Sequence, residues 1–312
     1  KSKGEFLTVS LLEEKGYDWV ELPEEIRNQY VEESVEEAVA SYGNSVLYRS
    51  ARDEYMIERM KRMLGCTVWA LTHQLKVGDF RPSAYELRFS YGKIDRVDIC
   101  REDDTTYVKV VDYKTGSKAF DIISLYHGLQ LQLMVYMNGA VKLEKEGHPE
   151  REVVPAGVFY YRIKDPLVEK LAKEEIEEAI LKELRPDGVI NLRDEVLMHL
   201  DHTKSEESYA VPVKYNKNGS LAKGSKAVPE EEFRLMMAHA ARKVKEAHGK
   251  ILEGITEALP YRKGQETGCD YCRYRHICGF DRRIPGYVYR EIEKVSKEEV
   301  LKAMKADDGN GE

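Results

Sequence analysis

The chain has 312 residues, 42% of them hydrophobic and 34% charged, enough for one large or two modest globular domains with a substantial core. No apolar run approaches the ~20 residues that span a bilayer, and no export signal opens the sequence, so a cytoplasmic protein is expected. A formal net charge of -7 excludes nucleic-acid binding by bulk electrostatics and leaves it to local patches.

The first residue is Lys1 rather than Met, so the sequence reads as part of a longer chain. Residues 13–37 are strongly acidic and suit a solvated helix face. Apolar spacing predicts helices over 20–40 and 50–77, with Tyr55, Met56, Arg59, Met60, Met63 and Leu64 on successive turns. Arg81-Pro82 breaks that pattern. Ala84–Tyr91, Lys93–Cys100 and Thr106–Tyr113 then read as three short strands. Ser124–Leu143 reads as one helix and Val153–Ile163 as a fourth strand. Helix, three strands, helix, strand predicts an α/β fold: a central mixed sheet flanked by helices.

Beyond Pro166 a charged helix is expected around 168–184, then irregular polar sequence to about residue 228. A long helix follows over Glu230–Ala258, opened by Pro229 with acids in its first turn. From Val295 the chain reads as a flexible tail. The expected division is 1–80 helical, 81–165 a catalytic core, 166–260 a helical and irregular insertion with the long helix, 261–294 a cysteine-cluster segment and 295–312 the tail. Two basic patches stand out: Lys214, Lys217, Lys223 and Lys226, and Arg273, Arg275, Arg282 and Arg283. No G-x-x-x-x-G-K-[ST] loop occurs.

The chemistry concentrates in GKIDRVD (Gly92–Asp98) and VDYK (Val111–Lys114). Side chains alternate along a strand, so Asp112 and Lys114 share a face, as do Asp95, Val97 and Ile99, while Arg96 and Asp98 take the other. If the two strands pair as a hairpin, Asp95 and Asp112 converge. Two such carboxylates repel, and a hard dication such as Mg2+ with its oxygen ligands relieves the repulsion. Lys114 can then neutralise charge growing on a phosphate. A bare D-x-K is usually a surface ion pair; G-x-x-D on the preceding strand shifts the reading toward a nuclease. Downstream, Gln132 and Tyr136 are four apart and stack on one helix face, whereas Gln130 points elsewhere and His127 suits a helix start. Tyr136 alone would read as a core aromatic.

Near the other end, Cys269-x2-Cys272-x5-Cys278 places three thiols in ten residues. Such spacing holds zinc or an iron–sulfur cluster rather than disulfides in a chain without an export signal. Cys66, among Met63, Leu64 and Trp69, and Cys100, near a strand end, read as structural.

GKIDRVD, VVDYKTG and GLQLQLMVY together resemble the successive motifs of the PD-(D/E)xK nucleases of the RecB kind, most closely the nuclease domains of AddB-type subunits of bacterial helicase–nucleases. The resemblance covers nearly the whole chain and implies a restriction-endonuclease-like core with catalytic Asp95, Asp112, Lys114, Gln132 and Tyr136. It implies Mg2+ on Asp95, Asp112 and the Tyr113 carbonyl. Glu86 resembles the family's first-strand glutamate, its role open. Cys269, Cys272 and Cys278 would hold a [4Fe–4S] cluster whose fourth cysteine, with the site histidine, lies upstream of this sequence, so the fragment can lack independent activity. The implied function is exonucleolytic cleavage of DNA during double-strand-break processing, with an AddA-like subunit as partner. Two alternatives stand beside it: a stand-alone iron–sulfur exonuclease, or a non-catalytic DNA-binding scaffold with a structural metal.

Overall fold

The computed structural model of the chain describes residue 16 and residues 18–41, 50–169 and 172–309. Most of the acidic 13–37 stretch, both patches and every site candidate fall within them. The described residues form two compact units, one drawn from Lys1–Phe120 and Tyr136–Phe233, the other from Asp121–Val135 and Arg234–Glu312. This division is not linear along the chain as expected: a short internal segment joins the C-terminal third.

In the first unit, helices α1 (Glu24–Ser41) and α2 (Ala51–Lys76) form where apolar spacing places them. Ser50 caps α2, its Oγ accepting the Asp53 N–H at 3.1 Å. The hairpins β1 (Arg81–Phe89), β2 (Gly92–Glu102) and β3 (Thr105–Lys114) follow. After α3 (Ile122–Tyr126), which belongs to the second unit, α4 (Gln132–Gly147) leads to β4 (Glu152–Arg162), parallel to β3. After α5 (Lys173–Glu183), β5 (Asp187–Asn191), α6 (Asp194–Leu200) and β6 (Ala227–Val228) complete a mixed six-stranded sheet in the order β1-β2-β3-β4-β5-β6. Leu71 of α2 packs on Val111, Tyr113, Tyr161 and Ile163. Val196 and Leu200 of α6 pack with Tyr107, Val154 and Phe159. Both helices thus bury an apolar stripe on the sheet, and burial of such side chains is the main stabilising term.

Four expectations are corrected. The helix predicted over Ser124–Leu143 is broken. Asp121 starts α3 early by accepting the Ile123 and Ser124 N–H groups. Gly128 then takes a left-handed φ of +78, and the Leu129 and Gln130 N–H groups both return to the Ser124 carbonyl. Apolar periodicity runs through this break unaltered and hides it. Second, the stretch read as irregular up to residue 228 contains β5 and α6, too short for periodicity to reveal. Third, the long helix α7 (Glu230–Leu252) stops before Gly254, at φ +71. Fourth, the tail is a helix, α9 (Lys297–Gly309). Ser296 and Glu299 cap it reciprocally, at 3.2 and 2.8 Å, and Val300, Leu301 and Met304 are buried.

The second unit gathers α3, most of α7, a small sheet in the order β8-β7-β9 (β7 Tyr261–Lys263, β8 Glu266–Thr267, β9 Arg290–Glu291), the single turn α8 (Arg275–Cys278) and α9. His239 of α7 stacks on Tyr126 of α3 at 5.2 Å between ring centroids.

Gly188 marks the tightest approach in the sheet. A Cβ there would land on the Val158 carbonyl oxygen and 2.9 Å from the Phe159 Cα. Gly188→Ala should therefore cost about 3 kcal/mol. Gly65 of α2 has open space around it, and Gly65→Ala should stabilise by up to ~1 kcal/mol. Urea unfolding midpoints of the two variants check both signs.

Candidate active site

Strands β2 and β3 pair antiparallel with Arg96 opposite Val111 and Val97 opposite Val110. One step further along this register, Asp95 stands across from Asp112. Both carboxylates are fully buried. Asp95 Oδ2 accepts the Tyr113 N–H at 3.1 Å, which ties it to β3. Lys114 forms an ion pair with Asp112. The structure therefore brings Asp95, Asp112 and Lys114 together on one face.

Tyr136 lies in the same unit, nearly buried and edge-on to Phe89 at 5.8 Å. Gln132 is the first residue of α4, one turn before Tyr136. Gln130 accepts the Asp121 N–H at 3.1 Å. His127 ends α3 rather than starting a helix, and its carbonyl accepts from Arg290.

Glu86 sits opposite Asp95 by the β1–β2 register, between the pairs Tyr85–Arg96 and Leu87–Ile94. It carries a φ of +51 inside a strand, a strained conformation of the sort that clusters at functional sites. Its side chain pairs with Lys93.

Two residues that sequence reading missed adjoin this constellation. Parallel pairing sets Tyr160 of β4 beside Asp112. Tyr160 is fully buried, and among the described residues its hydroxyl meets no hydrogen-bond partner. Burial first, then the Asp112 charge and Tyr136, push its phenol well above the usual value. Lys114 Nζ and Lys118 Nζ stand 5.5 and 5.4 Å from the Tyr160 ring centroid. Burial, then the neighbouring Lys114, lower the Lys118 pKa while Asp112 opposes them. The Arg162 guanidinium donates to the Ser117 carbonyl at 3.1 Å, and the Phe120 N–H to Asp187 at 2.7 Å. These bonds fix the loop after Lys114. No sequence signal marks Tyr160, because its nearness to Asp112 depends on which strand follows the crossover.

On the opposite face Arg96 clasps Asp98, Nε to Oδ1 at 2.5 Å and Nη2 to Oδ2 at 2.7 Å. Lys109 adds a third contact at 2.8 Å, and Arg96 donates to the Tyr113 hydroxyl at 3.1 Å.

The basic patches are less open than their sequence suggests. Lys214 pairs with Glu207, Lys226 with Asp187 and Arg283 with Asp281. A different group, Arg162, Lys164, Lys182, Arg185, Lys214 and Lys226, lines a cleft together with Glu183 and Asp187. It begins beside the site, since Arg162 is the β4 partner of Lys114.

In the second unit Cys269 is half-buried, and Cys272 and Cys278 are exposed free thiols. Among the described residues the three sulfurs do not fall within 4.8 Å of one another. A single tetrahedral ion needs donors closer than that, whereas a polynuclear cluster tolerates wider spacing. The small sheet beneath them is tied to the α3 segment by the Lys263–Asp121 ion pair and by Arg290 on the His127 carbonyl. Cys66 packs beside Ala70, Leu181 and Leu184, as a structural residue. Cys100 is buried, but its sulfur adjoins Asp79 and His199. Burial, with the Asp79 and Glu102 carboxylates, pushes its thiol up to about 11.

The PD-(D/E)XK nuclease superfamily model matches residues 11–279. The chain is 39% identical over 314 residues to an ATP-dependent helicase/deoxyribonuclease subunit of Lachnoclostridium phytofermentans, an alignment covering 95% of the chain and 27% of that protein. The like-named proteins of Caldanaerobacter subterraneus subsp. tengcongensis and Alkaliphilus metalliredigens are 34% and 33% identical, each over 93% of the chain and 27% of their own length. The chain thus spans about a quarter of the curated relatives it matches.

The Arg96–Asp98 clasp predicts an acid limb of stability. Burial alone would raise the Asp98 carboxyl, but the Arg96 and Lys109 charges outweigh it and hold it below the usual range. Its contribution is complete above the unfolded carboxyl value of ~4 and is lost as pH falls through the lower folded one. Asp98→Asn should flatten that limb between about pH 2 and 5. Arg96→Met should cost about 3 kcal/mol or more at neutral pH. Urea midpoints against pH measure both.

Proposed function

Because this chain belongs to the PD-(D/E)XK nuclease superfamily, we propose that it is the DNA nuclease domain of an AddAB-type helicase–nuclease, cutting a single strand during double-strand-break processing. The observation that carries the reading is the facing pair of fully buried carboxylates, Asp95 and Asp112, with Lys114 on the same face. A scaffold has no use for such a pair, since like charges in a dry site are costly. What supports DNA as substrate is the cleft beginning at Arg162, lined by six cations, together with the relatives' shared name.

The donor set fits Mg2+: Asp95 and Asp112 would hold it, with the Tyr113 carbonyl completing the protein ligands. A bound Mg2+ supplies Lewis-acid activation of the phosphate and of a water. The chain's own side chains do the rest. Tyr113 N–H fixes Asp95 in one rotamer. Lys114 orients the attacking water or offsets charge on the scissile phosphate. Gln132 and Tyr136 position water and phosphate from one turn of α4.

The three C-terminal thiols fit a [4Fe–4S] cluster, which would cross-link a segment with little core of its own: Cys272 and Cys278 are exposed and α8 buries no residue. An AddA-like subunit is the motor partner this reading calls for.

Asp112→Ala and Lys114→Ala should each lower single-turnover cleavage of a labelled single strand at least ~100-fold in Mg2+ while leaving filter binding measurable. The assay is run on the chain alone and with an AddA-like subunit. Undiminished cleavage in either variant would remove that residue from the mechanism. Cys272→Ser should bring earlier proteolysis near residue 260, and an unchanged digestion pattern would argue against a cross-linking cluster.

A further inference from the structure

A second group of ligating side chains stands at the other end of β2. Asp95 and Cys100 are five residues apart, ~17 Å along a strand, and an odd separation sets them on opposite faces. There the Asp79 carboxylate, the Cys100 thiol and the His199 imidazole bring their ligand atoms within 4.8 Å of one another. His199 Nδ1 and His202 Nε2 both stand 2.8 Å from the same oxygen, Asp79 Oδ2. The other ring nitrogen of His199, Nε2, lies 3.1 Å from Glu102.

The group is held by backbone, not by long side chains alone. The Asp79 N–H donates to the His199 carbonyl at 2.8 Å, and the His202 N–H to the Val77 carbonyl at 2.7 Å. Between them Gly78 has no room for a side chain: a Cβ would stand 2.5 Å from the His199 oxygen and 2.7 Å from that of Leu200. The Tyr107 ring packs on the His199 ring at 4.9 Å between centroids. Asp79, Cys100, Glu102 and His199 line a surface cleft, which gives an ion a way in.

We propose that Asp79, Cys100 and His199 bind one borderline dication of the Zn2+ class, with His202 in the fourth position and Glu102 orienting His199 from behind. Mixed oxygen, nitrogen and sulfur donors select such an ion over Mg2+ or Ca2+, which take oxygen. Tetrahedral zinc with nitrogen and oxygen ligands ~2.0 Å away sets those ligands about 3.3 Å apart. The two 2.8 Å separations open by about half an ångström to accept it. The Glu102–His199 contact is the carboxylate–histidine arrangement that fixes ring orientation and raises ligand basicity at metal sites. Such an ion ties together the entry to β1, the end of β2 and the turn after α6. It is separate from the nuclease constellation and does not depend on it.

The test uses the chain as it stands, with its C-terminal cysteines present in every sample so that only differences are read. Parent, Asp79→Asn and Cys100→Ser are stripped with chelator, loaded with Zn2+ or Co2+, and desalted. The Asp79 side chain is nearly half exposed and Asn keeps its size, so this variant retains the fold; metal-free melting curves check both. The expected result is one zinc equivalent fewer in each variant, at least ~10-fold weaker binding, and a thiolate-to-cobalt band in the parent-minus-Cys100→Ser difference spectrum. Zn2+ should raise the parent melting temperature by ~5 °C more than that of Asp79→Asn. If Cys100→Ser melts lower without metal, Asp79→Asn alone decides. Equal zinc content and affinity in parent and Asp79→Asn would overturn the proposal and leave a carboxylate–imidazole hydrogen-bond network.

Discussion

Two like charges facing each other inside a sheet are the constraint on which the rest of this structure turns. Directly opposed residues of an antiparallel pair hold their Cβ atoms about 5 Å apart, and unit charges at that distance repel by roughly 3 kcal/mol even at an effective dielectric constant of about 20. Asp95 and Asp112 are both fully buried, so this is the repulsion the site must offset whenever both are ionised. The fold answers with what lies within reach: the Tyr113 N–H on Asp95, the Lys114 ammonium on Asp112, and Lys118 over the Tyr160 ring beside them. Every one of these comes from β3, its following loop or its parallel neighbour β4. The placement of β4 is therefore a condition of the site as much as β2 and β3 are.

The other face of the same strands works by the opposite logic. There Arg96 and Lys109 both pair with Asp98 under α2. A one-residue slip of β2 would turn Asp95 toward Leu71 and the tyrosines, and would bring Arg96 onto the face of Asp112. Opposite charge patterns on the two faces thus reinforce the register that hydrophobic alternation alone would set. Buried polar pairing of this kind adds little net stability but penalises the wrong alignment heavily.

Much of this was legible in the sequence where local pattern decides it. Gly92 to Lys114 carries its own turns, alternation and carboxylates, so the hairpin and its shared face follow from period two. The six-stranded extent did not follow, because β5 and β6 are held by pairing with distant partners, Gly157 with Ile190 and Ile190 with Ala227. The break between α3 and α4 was hidden because Leu125, Leu129 and Leu133 keep helical spacing across it, while Asp121 and Gly128 supply the caps. The Ser296-x-x-Glu299 box was in plain view and was outweighed by the polar end that follows it. Tyr160, and the group of Asp79, Cys100 and His199, are assembled from segments up to 120 residues apart, which no local window sees.

The net charge of -7 is a poor guide to the proposed DNA path, and the reason lies in pairing. Acids of α1 are already answered, with Glu32 and Glu36 both on Lys61. In the cleft beginning at Arg162, five of the six cations meet carboxylates: Lys164 meets Glu183, Lys226 meets Asp187, Lys182 meets Glu178, and Arg185 and Lys214 share Glu207. Six cations against four acids is a small surplus. Each phosphate neutralised contributes a salt-dependent increment to single-strand binding, so few increments mean weak and salt-sensitive capture. On the proposed reading, presentation of the strand by a motor partner would raise its effective concentration at the site without any added contact. Under that proposal a face of low intrinsic affinity is an advantage, because a strand that is fed forward must also be let go.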